Sequence, residues 1–137
     1  MTNRQQQIDW ISATLYEAAW GPLTVFGIYL IGLVFHIFRL FPFLDMPVHF
    51  LGGVGITYFY RSAIKHSQKA LGEIPLSIQI FFALTCTGTT TVLWEFYENI
   101  IDFFLHTHMV RGLQDTLVDL LMGLLGAVVF SLLYKRR

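Results

Sequence analysis

Apolar residues run through this chain in long blocks, interrupted at a few places by proline, glycine or charge. Ahead of the first block, Ile8, Ile11, Leu15 and Ala18 recur at helical spacing with Asp9, Ser12 and Glu17 between them. That pattern predicts a short amphipathic helix over 8–20 lying on a membrane surface, with Trp10, Tyr16 and Trp20 at the headgroup level. Gly21-Pro22 redirects the chain, and the apolar run 22–41 is about as long as a helix crossing a hydrocarbon core of roughly 30 Å must be. Pro42 ends that run. The later blocks predict transmembrane helices over 45–61, 76–104 and 113–134, with a polar connection carrying Arg61, Lys65, His66 and Lys69 and a turn near Gly112. The expected fold is an all-α integral membrane protein: a four-transmembrane-helix bundle preceded by a short interfacial amphipathic helix, forming a single membrane domain over 1–137.

Composition agrees with that reading. Hydrophobic residues make up 55% of the 137, charged residues only 13%, and the mean hydropathy of +0.58 is too high for an ordinary soluble domain. Nine basic residues balance nine acidic ones, so no basic field supports nucleic-acid binding. Cys86 is the single cysteine, which excludes an intrachain disulfide and a cysteine-based zinc site. Net charge matters less than its distribution. In the four-helix arrangement Arg4, Arg61, Lys65, Lys69, Lys135, Arg136 and Arg137 fall on one side and only Arg39 and Arg111 on the other. Seven against two places both termini in the cytoplasm, in a cytoplasmic (inner) membrane.

With that topology the acids converge. Asp45 and His49 open the second apolar helix, Glu95, Glu98 and Asp102 lie in the outer half of the third, and Asp115 and Asp119 open the fourth. Asp45 and His49 are four apart, as are Asp115 and Asp119, so each pair shares a helix face. Gly88, Thr91, Glu95, Glu98 and Asp102 follow steps of three and four and make one polar stripe, which must face the bundle interior. Gly52, Gly53, Gly123 and Gly126 allow the second and fourth helices to approach closely and bring their acids near the third. Six of the nine acids thus occupy one slice of the bilayer, and that excess of negative charge calls for protons, a metal ion or a cationic ligand.

Several carboxylates and one imidazole from facing helices form a ligand set for a divalent metal such as zinc, manganese or iron. The metal-ligand candidates are Asp45, His49, Glu95, Asp115 and Asp119; the catalytic candidates are Glu95, Glu98 and His49. Each also has a structural reading. Glu95 reads as a protonated carboxyl bonded between helices, Asp45 and Asp115 as helix N-caps, and His49 as an interhelical hydrogen-bonding group. Asp102 reads as a surface partner of Arg111, while His106 and His108 face water. Three functions fit. The first is an outer-leaflet centre, metal-dependent, acting on a lipid-linked or headgroup-like ligand or another envelope substrate. The second is a proton- or cation-coupled transporter or channel component using the same acids, and the third a non-catalytic membrane assembly or regulatory partner. Whether the chain is an enzyme stays open at this stage.

Asp45-x-x-x-His49-Phe50, then Glu95, then Asp115-Thr-Leu-Val-Asp119 ahead of Gly123 and Gly126 resembles the small bacterial inner-membrane proteins of the VanZ-like and YjdF-like groups. The likeness covers the second to fourth apolar helices. Met46 stands where VanZ-like proteins commonly have lysine, and Asp119 where they usually have asparagine, so the Asp-Thr-x-x-Asp form is more similar to the YjdF-like group. The resemblance implies a bacterial cytoplasmic-membrane protein concerned with the cell envelope, and brings no mechanism with it.

Overall fold

The computed structural model describes residues 3–134, with side chains described from residue 9 onward; Lys135, Arg136 and Arg137, and the side chain of Arg4, lie outside the described residues. Helix α1 (Asn3–Ala18) leads into α2 (Trp20–Val34), then the single turn α3 (Ile37–Leu40) and a 3-10 turn (Pro42–Leu44). Three long helices follow: α4 (Asp45–Leu71), α5 (Leu76–Leu105) and α6 (Leu113–Leu133). The described residues hold no strand. Two helices, α5 and α6, are long and apolar enough to cross a membrane; α1 and α2, bent by 49° at Ala19, make a third crossing if Asp9–Val34 is one broken span.

Helix α4 is central: α1, α2, α5 and α6 all pack against it. Its sequence follows from that position. A helix surrounded by others can carry small and polar residues in place of lipid-facing aliphatic ones, and α4 buries Asp45, His49, Gly53, Gly55, Thr57, Arg61 and Ser62. The closest approach is to α6, where a Cβ added at Gly53 would fall on the Gly123 carbonyl and one at Gly126 on the Phe50 carbonyl. Gly123 in turn lies under Thr91 of α5, where a Cβ would come within 2.7 Å of Thr91 Cγ2. Backbones this close are what small residues in helix interfaces permit. Away from the acids, the helices are joined by hydroxyls, with Thr57 and Thr87 2.9 Å apart and Tyr60 3.0 Å from Thr90.

Three expected boundaries shift. The first helix, expected over 8–20, is Asn3–Ala18, and the bend falls at Ala19, ahead of Gly21-Pro22. The run 22–41 is not one helix: α2 stops at Val34, His36 takes a left-handed conformation (φ 54°), and the Phe38 ring folds back onto Gly32. Apolar composition continues through the break, so the pattern alone does not register it. At 15 residues α2 rises about 22 Å, short of the hydrocarbon thickness without α1. The helix expected to end at 61 runs on to Leu71, and the residues expected to form a polar connection are helical. Glu17 at the end of α1 supports this extension, accepting hydrogen bonds from Lys65 Nζ (2.9 and 3.0 Å) and lying 2.8 Å from His66 Nε2. Gly72 (φ 87°) then ends α4 in a conformation that costs glycine little.

Candidate metal centre

Five side chains meet at the end of the bundle nearest the 3-10 turn. Asp45 and His49 project from the first two turns of α4, Glu95 and Glu98 from one face of α5, and Asp119 from α6. The tight α4–α6 crossing below them sets the separation. His49 Nε2 lies 3.6 Å from Asp45 Oδ1, 3.9 Å from Glu98 Oε2 and 4.0 Å from Asp119 Oδ1, and His49 Nδ1 lies 3.8 Å from Glu95 Oε1. All five residues are at most 7% exposed.

These distances matter chemically. Each exceeds an ordinary hydrogen bond, which for nitrogen and oxygen closes at about 2.7–3.2 Å. Ligand atoms that share one ion at about 2.0–2.2 Å cannot be further apart than about 4.4 Å. Three of the gaps, to Asp45, Glu98 and Asp119, converge on Nε2 and lie within that limit, while Glu95 faces the other ring nitrogen, Nδ1. Two sets have ligand atoms all within 4.8 Å of one another and could hold a metal: Asp45, His49 and Asp119, and His49, Glu95 and Glu98. Moreover, Asp45 Oδ1, Glu95 Oε1 and Glu98 Oε1 are buried without a hydrogen-bond partner. Carboxylate oxygens withdrawn from water and left unsatisfied are costly, and a cation placed among them removes that cost.

The remaining acids have other partners. Asp115 pairs with Arg111, whose Nη2 is 2.9 Å from Oδ1 and whose Nε and backbone N–H donate to Oδ2 at 3.2 and 3.0 Å. The same guanidinium donates from Nη2 to Asp45 Oδ2 at 3.1 Å, which leaves Asp45 Oδ1 on the His49 side without a hydrogen bond. Asp102 does not pair with Arg111, the partner expected for it. It accepts hydrogen bonds from Thr107 Oγ1 and from the backbone N–H groups of Met109 (2.9 Å) and Val110 (2.8 Å), and so shapes the loop that presents Arg111. His106 and His108 sit in that loop with left-handed backbones. The double role of Arg111 is the main feature that sequence reasoning missed. Its spacing of four from Asp115 was a usable signal; its reach to Asp45 was not.

Beside the cluster, Tyr29, Trp94 and Tyr97 form an aromatic contact between α2 and α5, with Tyr29 and Trp94 ring centres 4.7 Å apart and Trp94 and Tyr97 5.1 Å apart. A cavity of about 290 Å³ adjoins it, lined largely by apolar side chains of α2, α4 and α5, with His49 among them.

The fold and this buried acidic group define an all-helical protein with membrane-crossing helices. The chain belongs to the family described as "Predicted membrane protein (DUF2238)", whose model matches residues 2–137. It is similar to a protein of Thermotoga maritima described as uncharacterized, with 31% identity over 96 residues covering 69% of this chain and 49% of that protein. The chain thus spans about half the length of the curated relative it matches. No solved structure matches. The family found is a membrane-protein family, which agrees with the sequence-based class; the VanZ-like and YjdF-like likeness rests on the motifs alone.

Proposed function

We propose that this protein is a multi-pass membrane protein holding a divalent metal ion in the outer leaflet, on His49 with Asp45 and Asp119 and with Glu95 and Glu98 at hand, and acting on a lipid-linked or headgroup-like substrate. The observation that carries the reading is the set of 3.6–4.0 Å gaps around His49 combined with three buried, unpartnered carboxylate oxygens. Zinc, manganese and iron all accept carboxylates and an imidazole. Such an ion polarises a phosphoryl or carbonyl oxygen, or makes bound water nucleophilic near neutral pH. The central packing of α4 supports a fourth crossing despite its polar composition. The basic residues of α4 beyond Arg61 support the orientation with the Asp45 end outward. The motif order shared with VanZ-like and YjdF-like proteins supports a bacterial inner membrane and an envelope role.

A transport role for the same acids is less well supported. Between the cluster and the far end of the bundle, Thr91 donates to Thr87 O and Thr57 to Gly53 O. Those two hydroxyl protons are committed to carbonyls of their own helix, although Thr87 and Thr57 also meet hydroxyl to hydroxyl between α5 and α4. Elemental analysis of purified protein tests the proposal: one divalent ion per chain is expected, lost in Glu95→Ala and His49→Ala. Metal-free protein that binds no added zinc, manganese or iron(II) would overturn it.

A further inference from the structure

We propose that the cavity between α2 and α5 receives one hydrocarbon chain of an outer-leaflet lipid and thereby presents that lipid's headgroup to the cluster around His49. The inference rests on the reading of the cluster given above only for where the headgroup goes; the occupancy of the cavity stands on its own shape and lining. Helices α2 and α5 both pack on α4. They approach each other through the Tyr29, Phe26 and Trp94 rings, and the cavity adjoins these rings, extending along α4 past Gly52 to Ile56. Leu23, Val25, Phe26, Ile56 and Trp94 supply apolar wall, and no carboxylate or fixed cation is among the lining side chains, whose polar members are Tyr29, His49, Thr90 and Thr91.

The position and direction of this space select the occupant. In helices that cross a bilayer, an open apolar cleft borders on acyl chains, so a chain enters it without leaving hydrocarbon. Gly52 and Ile56 lie one and two turns deeper than His49 along α4, so His49 marks the end of the cavity nearest the acids and Ile56 the deeper end. A lipid of the outer leaflet runs in the same direction, tail toward the midplane and headgroup toward the end where His49 and the acids lie. Gly52 forms part of the floor, where an added Cβ would meet only Val25 Cγ1 at 3.8 Å. Gly52 is therefore left open by the packing, unlike Gly53 beside it, which the α4–α6 crossing requires.

Trp94 is a reporter already in the wall. With Trp10 and Trp20 replaced by phenylalanine, the protein is reconstituted into phosphatidylglycerol vesicles whose chains carry bromine near their midpoints, a short-range quencher of indole emission. Trp94 emission is expected to be quenched, and quenching to fall at least about twofold in Gly52→Leu and in Val25→Phe, which fill the space from opposite sides. Gly52→Ala, which leaves room, is expected to match the parent. Two separate fillings guard against a misfolded single variant. Absent quenching in the parent, or undiminished quenching in both filled variants, overturns the proposal. Absent quenching together with a chemically cross-linked dimer that Gly52→Leu abolishes also overturns it and puts a second copy of the chain in the cleft. Metal content measured on the same samples separates the two readings, since a lipid-filled cleft with no bound metal retains this inference and refutes the metal centre alone.

Discussion

Asp119 and Asp115 are one helical turn apart with the same functional group, yet their surroundings assign them opposite roles. Both oxygens of Asp115 are engaged by Arg111, whereas Asp119 is 3% exposed and points its Oδ1 at His49. In the metal reading, Asp119→Asn is expected to weaken metal binding by at least about 100-fold, since even outer partners of metal ligands are worth about 10–100-fold. Asp115→Asn should cost no more than about tenfold. Titration with zinc monitored by calorimetry checks both; equal losses would mean that Asp115 is a ligand. Bound metal also stabilises the folded state by about 2.7 kcal/mol when present at a hundred times its dissociation constant. A chelator should therefore lower the thermal midpoint of the native protein and leave that of Asp119→Asn nearly unmoved, in a thermal scan in detergent.

Among the helices, the α4–α6 crossing is the element that makes the site, because it sets how near Asp119 comes to His49. Gly53→Ala would place a methyl group on the Gly123 carbonyl, and forcing the helices apart costs about 1–3 kcal/mol by the usual measure of overpacking. Loss of metal together with a lowered unfolding midpoint is the expected outcome, and Gly27→Ala, where nothing lies within 4 Å, is the control that should stay within about 1 kcal/mol of the parent. At this scale the sequence was partly legible. Spacing alone puts Asp45 with His49 on one face and Glu95 with Glu98 on another, because helical geometry decides which residues share a side. The extension of α4 was not legible, since Lys65 and His66 look like a wet connection until Glu17, nearly fifty residues earlier, is seen to bind them. Nor was the partner of Arg111, which depends on Asp102 already being occupied by the backbone of Met109 and Val110.

For the molecule as a whole, the two ends of the bundle differ in how their acids are balanced. Around the cluster, Asp45, Glu95, Glu98, Asp115 and Asp119 gather, and the Arg111 guanidinium meets two of them, Asp45 and Asp115. Toward the other end, Lys65 and His66 meet Glu17, and Lys69 lies in the last turn of α4. Basic residues are retained on the cytoplasmic side during insertion, so Arg61, Lys65 and Lys69 on the far half of α4 should set the orientation, with the acidic end outward. That orientation also decides which leaflet the cleft between α2 and α5 can draw from, so the lipid and metal proposals both depend on it. Single cysteines introduced in a Cys86→Ser background test it directly. A membrane-impermeant maleimide added to intact cells is expected to label Thr107→Cys, in the loop beside the cluster, and to reach Lys69→Cys only after the membrane is permeabilised. The reverse pattern would place the acidic centre at the cytoplasmic face and make an inner-leaflet lipid the one within its reach.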